Sequence, residues 1–419
     1  MKTSRNKTRI ATYALSILVL LSISTLLTTT ASSTLVRQAE TLTSVKVTTT
    51  PTMDGDATDS AWAKATSITI ATVGGSGAIS VTLKAVHTDT DLYVLAQWDD
   101  STMSMTRSGS WNWDGTAWTT TEADQSEDRI AFLWNINMSN FYTAGCMAKC
   151  HLQYGEAGAF LENPEETGDI WHMKAARSLG VISASQSGTL TVDPETHEVT
   201  AGSVTMNGYI DDKYITYEDP ADLPEDGGRH GDSGSSTYSR NRNADKTGPL
   251  YLEVAPANYI DAMVLTQSEI DGGETLEVAT ATIEQITTSW NKYAQFDAIV
   301  PERILRPPSG SRGDVMQSAT WSNGTWTSEF KRALITKTDG ATNTDDVQFT
   351  DLTLPYGFSI AVMDNKGGGT DHSQATSTYA LSFGEVVSEL EIGFEIVTLF
   401  VALDVILLIV AANRRRRTA

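Results

Sequence analysis

Two cysteines and a histidine form the group of residues in this sequence best suited to hold a cofactor. Cys146 and Cys150 are the only cysteines among 419 residues, and His151 directly follows the second one. A C-x-x-C-H run is the attachment motif of c-type haem, in which both thiols bond to the haem and the imidazole binds the iron. The motif here departs from that length, because three residues separate the cysteines instead of two.

Three interpretations of this motif are open from the sequence. In the first, Cys146 and Cys150 attach a haem covalently and His151 is the proximal iron ligand. In the second, the cysteines form a short structural disulfide, a bond that persists outside the cytoplasm. In the third, a b-type haem binds His151 while the cysteines only brace the loop. A zinc site is not indicated, because a single histidine adjoins the pair.

A low-spin electron-transfer haem needs a second axial ligand. His172 is the preferred candidate because imidazole is a strong iron ligand, and Met173, Lys174 and His372 are the alternatives. The segment 169–177 is predicted to be a short helix. On a helix, His172 and Met173 would point about 100° apart, so at most one of them would face the iron. Otherwise His172 is a surface or hydrogen-bonded histidine.

Both ends of the sequence carry membrane-targeting signals. Residues 1–31 combine a basic start, an apolar run and a zone of small residues, as a secretory signal peptide does, and an uncleaved anchor is the alternative. Phe394 to Ala412 is almost wholly apolar and about 28 Å long as a helix, which predicts a transmembrane helix over residues 393–412. The basic tail 413–419 is then cytoplasmic by the positive-inside rule. We therefore expect a single-pass protein of the cell membrane whose main domain is extracytoplasmic.

The sequence is strongly acidic, with a formal net charge of −22. This excess argues against nucleic acid as a partner, because proteins bind phosphates through Lys and Arg. It is typical of a solvated exterior surface and also suits docking to a basic redox partner. The sequence contains no nucleophile elbow, phosphate loop or zinc-protease helix. The chain is therefore not expected to be an enzyme by itself.

Short runs of alternating or continuous apolar residues, separated by turn signals, occupy the central part of the sequence. Residues 92–98 predict a strand between Asp-rich turns, and residues 130–134 predict a buried strand. Further strands are predicted over 190–192, 275–283, 329–336, 347–354, 358–363 and 379–383. Many short strands with few helices predict a mostly β protein, a β-sandwich with helical and loop insertions.

The predicted domain boundaries follow from this pattern. Residues 32–44 are rich in Ser and Thr and are expected to be a flexible lead-in. The β-sandwich domain is expected over residues 45–385. Within it, residues 211–248 are rich in Asp, Gly, Ser and Asn and predict a long ordered loop or a lid.

The order of several short motifs along the chain resembles one known family. The motifs are Asp54-Gly55-Asp56-Ala57-Thr58-Asp59-Ser60-Ala61-Trp62, 92–100, 127–131, 145–151, 169–172, 310–315, 321–326, 332–334 and 346–349. In this order they resemble the ethylbenzene-dehydrogenase-related haem-binding domain, which is also found as a haem-binding subunit domain of dimethyl-sulfoxide-reductase-like enzymes. The resemblance covers residues 45–383.

This resemblance implies a β-sandwich similar to carbohydrate-binding and DOMON domains, with one haem beside the sheets that serves electron transfer. It also implies a molybdopterin oxidoreductase or a membrane cytochrome as the redox partner. In soluble members of the family the haem is typically b-type with Met and Lys ligands. This chain departs from that pattern in carrying Cys146, Cys150 and His151, so the Met and Lys pair is not transferred to particular residues.

Together these observations predict a membrane-anchored extracytoplasmic haem protein of the cytochrome type. It would pass electrons to or from a partner oxidoreductase or the membrane redox chain. The alternative function is a surface adhesion or glycan-binding β-sandwich in which Cys146 and Cys150 form a disulfide. Its sugar platform would come from five tryptophans, Trp98, Trp111, Trp113, Trp118 and Trp134. Such tryptophans are more often core and edge packing.

Overall fold

The computed structural model describes residues 40–122, 125–142, 161, 163–219, 228–366 and 372–384. The motif containing Cys146, Cys150 and His151 lies outside these residues, as do the expected signal peptide, the expected transmembrane helix and the basic tail. In the part of the chain that is described, no helix is both long and apolar enough to cross a membrane.

Strands make up most of the described structure, which confirms the prediction of a mostly β protein. In chain order, the strands up to residue 231 are β1 (Glu40–Lys46), β2 (Ile68–Gly74), β3 (Ile79–His87), β4 (Asp91–Asp99), β5 (Trp111–Trp113), β6 (Trp118–Thr120), β7 (Arg129–Asn135), β8 (Thr167–Lys174), β9 (Ser183–Val192), β10 (Val199–Tyr209), β11 (Lys213–Thr216) and β12 (Arg229–Gly231). They are followed by β13 (Tyr238–Arg240), β14 (Tyr251–Glu253), β15 (Thr275–Glu277), β16 (Arg303–Leu305), β17 (Met316–Ser322), β18 (Thr325–Ala333), β19 (Lys337–Thr338), β20 (Ala341–Thr342), β21 (Tyr356–Met363), β22 (Ser373–Ala375) and β23 (Tyr379–Gly384). The helices are α1 (Tyr259–Met263), α2 (Gln267–Gly272) and α3 (Ile283–Ala294), with short 3-10 helices at Trp62–Lys64 and Gly310–Gly313.

A 15-stranded sheet dominates the described structure. Its strand order is β12-β11-β8-β7-β21-β22-β2-β3-β4-β18-β17-β10-β9, while β1 pairs with β3 and β23, and β23 also pairs with β21. Phe132 of β7 meets Phe330 of β18 with ring centroids 5.3 Å apart, although other strands separate β7 from β18 in the sheet. The sheet therefore curves round until its two halves face each other across the core.

Alternate residues of β7 and β8 point to opposite faces of this sheet, as the period of a strand requires. Phe132 and Trp134 of β7 and Trp171 and Met173 of β8 are buried in the main core. The opposite face carries a second apolar group, here called the outer cluster, formed by Leu133, Met138, Phe141, Leu161, Ile170 and Ile215. Both faces of β7 and β8 are thus covered.

The prediction of a helix over residues 169–177 is wrong, because Thr167–Lys174 form β8. This strand pairs with β7 on one side and with β11 on the other. Both of its faces are buried, so its sequence lacks the alternation of polar and apolar residues that identifies a half-exposed strand.

Several strand predictions are confirmed and others are not. Residues 92–98 and 130–134 lie within β4 and β7, and 358–363 lie within β21. The strand predicted over 275–283 ends at Glu277, and Val347 to Leu354 form no strand.

Three boundaries differ from the sequence expectations. Helix α3 begins at Ile283, the last residue of the strand predicted over 275–283, after a capping box in which Thr282 and Gln285 bond each other's backbone N–H groups. The segment expected as a loop over 211–248 contains β11, β12 and β13 among its described residues. β1 includes the last residues of the expected lead-in, and its Leu42 is fully buried.

The Asp-rich motif near the start of the domain is held against β18 by one carboxylate. Glu329 accepts hydrogen bonds from the backbone N–H groups of Asp54 at 3.0 Å and Gly55 at 2.8 Å, and from Trp62 Nε1 at 2.8 Å. Asp54 Oδ1 in turn accepts a bond from the N–H of Asp56 at 3.1 Å, as an Asx turn does. The aspartates of this motif therefore shape turns.

Candidate functional site

The predicted iron ligand His172 lies on the outer face of β8. It pairs with Ala131 of β7, which pairs with Ala361 of β21, which pairs with Gln374 of β22. Residues paired directly across strands point to the same face of a sheet. His172, Ala131, Ala361 and Gln374 therefore form one row across four strands, here called the histidine row. Its two central residues are small, so no large side chain stands between its ends.

The imidazole of His172 is buried and unsatisfied. The residue is 8% exposed, and its Nε2 atom has no hydrogen-bond partner among the described residues. Burial lowers the pKa of His172 well below its usual value, and the positive charges of Lys174 and Arg129 lower it further. The ring is therefore neutral at physiological pH. A neutral imidazole is the form that binds metals.

The three alternative ligands occupy different positions. Met173 points into the main core and is fully buried there. Lys174 lies on the outer face but forms a buried ion pair with Asp211. His372 lies beside the far end of the histidine row, where its Nε2 atom is 2.5 Å from Nε2 of Gln374. The structure thus places the two candidate histidines at opposite ends of one row.

The outer face around His172 is apolar on one side and basic on the other. On one side of the row, Leu133 pairs with Ile170, and both belong to the outer cluster. On the other side, Arg129 pairs with Lys174. A ligand that is largely apolar with anionic groups at one edge would match this arrangement.

The basic side of the row is balanced by Asp211. This carboxylate accepts an ion pair from Lys174, a second from Arg312 at 2.8 Å and a third from Lys213 at 3.5 Å. Burial alone would raise the pKa of Asp211, but the positive charges of Lys174, Lys213 and Arg177 outweigh burial and hold the pKa well below its usual value. Asp211 also ties the site to β8, because its backbone N–H donates to the carbonyl oxygen of His172 at 2.9 Å.

A second buried carboxylate organises the guanidinium groups next to Arg129. Glu127 Oε1 lies 2.5 Å from Arg177 Nη2 and 3.5 Å from Arg129 Nε. Burial would raise the pKa of Glu127, but Arg177, Arg129 and Arg107 together lower it to about 2. Glu127 is therefore ionised at all but strongly acidic pH.

The structure also reveals a buried acidic group that the sequence did not indicate. Asp169, Asp212 and Asp346 each bring one carboxylate oxygen within 4.8 Å of the others. The repulsion from Asp232 and Asp314 reaches Asp212 as well. These five residues are called the aspartate cluster below. They come from separate segments of the chain, so no spacing in the sequence links them.

The tryptophans that could form a sugar platform are mostly in the interior. Trp98, Trp111 and Trp134 are buried in the main core, and Trp113 is 8% exposed. Trp118 is partly buried and stacks at a tilt on Trp113, with ring centroids 5.0 Å apart. These five residues therefore serve packing, and the described surface gains no flat aromatic platform from them.

Comparison with known proteins gives one extensive match. The model of a family described as ethylbenzene dehydrogenase matches residues 41–375. No curated protein matches the chain.

Among solved structures, a family 9 carbohydrate-binding module from Caldicellulosiruptor kristjanssonii is similar in its complexes with glucose and with cellotriose. The two structures share 11% and 10% identity with this chain, cover 40% of it and are themselves covered over 76% and 77% of their length. Both have a TM-score of 0.18, which establishes no common fold.

Proposed function

Since this chain belongs to the ethylbenzene dehydrogenase family, whose model spans most of its length, we propose that it is a haem-binding electron-transfer protein. The β-sandwich architecture expected from the sequence is part of this proposal. The chain itself would supply ligands, burial and a docking surface, while the one-electron chemistry belongs to the iron of the bound haem.

The observation that carries the proposal is the unpartnered Nε2 atom of His172. A buried ring nitrogen without a hydrogen bond costs stability, so such an atom in a native protein calls for a ligand. Here it lies on a face whose central residues in the histidine row, Ala131 and Ala361, have small side chains. The donor set fits haem, since a neutral imidazole is a common axial ligand.

The residues on this face also suit the macrocycle and the propionates of a haem. Leu133 and Ile170 offer apolar contacts to the macrocycle on one side of His172. Arg129 and Lys174 lie on the other side, where the anionic propionates would compete with Glu127 and Asp211 for their charges. His372 at the opposite end of the histidine row is the alternative ligand.

The proximal ligand in this proposal is His151, whose position is limited by described residues on both sides. Phe141 and Leu161 belong to the outer cluster and lie ten residues before and after His151. Ten residues span at most about 34 Å when fully extended. His151 is therefore within reach of the histidine row from either end. Attachment through Cys146 and Cys150 would make the haem c-type, and without it the haem would be b-type.

We further propose that the domain is exported and anchored in the cell membrane. The basic start and apolar run within residues 1–31, the apolar run over 393–412 and the arginines of the tail 413–419 support this topology. The redox partner would be a molybdopterin oxidoreductase or a membrane cytochrome. The formal net charge of −22 suits a partner with a basic docking surface.

The proposal is tested on the full-length protein made in a host that matures c-type cytochromes. We expect a Soret band and a pyridine-haemochrome spectrum that distinguishes thioether-linked haem from b-type haem. Replacing His172 with Ala should convert a six-coordinate spectrum into a five-coordinate one, because one axial ligand is lost.

The matched control is Met173→Leu, since Met173 is the neighbour that faces the core. This variant should keep the six-coordinate spectrum. A colourless native protein would refute haem binding. An unchanged spectrum of the His172 variant would assign the ligand to His372 or Lys174 and refute the role of His172.

A further inference from the structure

Asp169 is held in place through one of its two oxygens. Its Oδ2 atom accepts hydrogen bonds from Trp171 Nε1 at 3.2 Å, Arg332 Nη1 at 3.0 Å and the backbone N–H of Val347 at 3.1 Å. Its Oδ1 atom is buried and has no hydrogen-bond partner among the described residues. Three donors thus orient the carboxylate and leave its second oxygen available.

In two further members of the aspartate cluster, one carboxylate oxygen is hydrogen-bonded and the other is not. Asp346 Oδ2 accepts hydrogen bonds from Thr336 Oγ1 at 2.6 Å and Ser311 Oγ at 3.2 Å. Asp314 Oδ2 accepts one from Asn343 Nδ2 at 3.3 Å. In both aspartates the Oδ1 atom is buried, and no donor in the described structure reaches it. Ligands of bound metals are commonly oriented in this way by outer hydrogen bonds.

Asp212 and Asp232 have no hydrogen bond on either side-chain oxygen within the described residues. Their side chains are fully buried and 3% exposed, respectively. The repulsion between their carboxylates is the largest electrostatic effect on Asp212 after burial. Ionised carboxylates without donors are among the most costly groups to bury, and burial raises the pKa of Asp232 to about 10 and that of Asp212 well above its usual value. Without a cation these two side chains hold protons, and a bound cation would take the place of those protons.

The arginine and lysine side chains near the aspartate cluster do not supply the positive charge that these carboxylates would need. Arg332 pairs with Asp169 at 3.0 Å, and no other member of the aspartate cluster has an ion pair within 4.0 Å among the described residues. Arg312 and Lys213, which lie close in sequence to the cluster, pair with Asp211 instead. Four carboxylates of the cluster, three of them buried and that of Asp314 partly buried, thus lack a cationic partner.

We propose that the aspartate cluster binds a calcium ion that joins β8 to the loops following β10, β12, the Gly310–Gly313 turn and β20. The available donors are all carboxylate oxygens, which select hard cations over zinc or copper. Ca²⁺ binds its oxygens at 2.3–2.6 Å, so two ligands can lie up to about 5 Å apart, as the 4.8 Å limit within Asp169, Asp212 and Asp346 allows. Mg²⁺ prefers one or two carboxylates with several waters, which suits this buried group less well.

Calcium titration of the full-length protein tests the proposal. After removal of divalent ions with EDTA and a metal-free column, CaCl₂ should give a saturable heat in isothermal titration calorimetry. It should also raise the Tm by several degrees, because the ion binds the folded state alone. MgCl₂ should bind at least about tenfold more weakly. Absence of heat and of a Tm shift would refute the site.

Asp212→Asn separates a calcium site from carboxylates that merely share protons. The variant keeps the shape of the side chain and removes one charge, so it should weaken calcium binding at least about tenfold and reduce the calcium-dependent Tm rise. In EDTA the variant should melt above the native protein, because repulsion is relieved. Glu253→Gln, in a separate acidic group with Asp261 and Glu269, is the control and should bind calcium normally. An undiminished calcium response of Asp212→Asn would overturn the assignment.

Discussion

At the scale of single residues, the site depends on how buried polar atoms are satisfied. His172 Nε2 has no donor or acceptor within reach among the described residues, whereas Lys174, two positions later on the same face, is fully paired with Asp211. The same contrast separates Asp211, which has three cations, from Asp212, which has none. Unsatisfied atoms thus mark where ligands are expected, and the satisfied ones beside them hold the structure.

Glu127 provides the prediction at this scale. Its pKa is about 2 in the folded protein and near 4.5 when unfolded. A lowered pKa contributes stability that is present above pH 4.5 and is lost as the pH falls through 2. Glu127→Gln should therefore lower the free energy of unfolding by on the order of 3 kcal/mol at pH 7 and by clearly less at pH 3.

Urea denaturation of both proteins at the two pH values measures this difference. Because native and variant protein share every other titrating group, their difference isolates Glu127. Asp114→Asn is a suitable control, since Asp114 is fully exposed and bonds only its own turn. A destabilisation by Glu127→Gln that is as large at pH 3 as at pH 7 would contradict the ion-pair account.

At the scale of elements, the sequence predicts strands well where one face is exposed or a short apolar run is isolated. β4 and β7 were found in this way, because turn signals bound them. β8 was missed, because Ile170 and His172 on one face and Trp171 and Met173 on the other are all buried. Its pairing with β7 and β11 comes from residues distant in sequence, which a local pattern does not contain.

The candidate site, too, could be predicted from the sequence only in part. His172 could be singled out from its residue type and from its place among the family-like motifs. The conclusion that His172 and Met173 do not both face one ligand also holds, although the reason is strand alternation and not helical rotation. The aspartate cluster could not be found, since Asp169, Asp212 and Asp346 are brought together by sheet topology alone.

Two strand glycines give the prediction at this scale, because their surroundings differ in rigidity. A Cβ atom on Gly208 of β10 would lie 2.4 Å from the backbone oxygen of Ser178. A Cβ atom on Gly168 of β8 would lie 2.7 Å from the terminal methyl group of Met138, which can rotate away. Gly208→Ala should therefore destabilise the protein by about 3 kcal/mol and Gly168→Ala by about 1 kcal/mol.

Chemical denaturation of the two variants decides this comparison. Gly208→Ala should lower the denaturation midpoint clearly more, since the backbone after β8 must move away from β10. The bond from the N–H of Tyr209 to Ser178 O, 3.1 Å long, should be lost with it. Equal effects of the two substitutions would show that the close approach at Ser178 relaxes without cost.

At the scale of the whole molecule, buried carboxylates set the response to pH. Burial raises the pKa of Glu329 to about 7, although Trp62 and two backbone N–H groups oppose this. Burial also raises the pKa of Asp100 to about 8, helped by Asp364. Burial likewise raises the pKa of Glu253 to about 8. The three groups have different charged neighbours, Asp364 beside Asp100, Asp261 beside Glu253 and Asp54 beside Glu329, so their effects should largely add.

The sign of their joint effect follows from proton binding. Between pH 4.5 and 8 these carboxyls hold more protons in the folded state than in the unfolded state, so stability falls as the pH rises through that range. Glu127 acts in the opposite direction below about pH 4.5, and His172, whose pKa burial lowers, does so below about pH 6.5, but as one group against three. The free energy of unfolding should therefore be greatest near pH 5 and fall toward pH 8, with Glu329 alone contributing on the order of 3 kcal/mol.

A Tm series from pH 3 to 9 at constant ionic strength measures this curve, and Glu329→Gln should flatten its alkaline side while leaving the acid side unchanged. A native Tm that rises steadily from pH 5 to 8 would show that these carboxyls are ionised without penalty, and that donors or bound cations outweigh their burial.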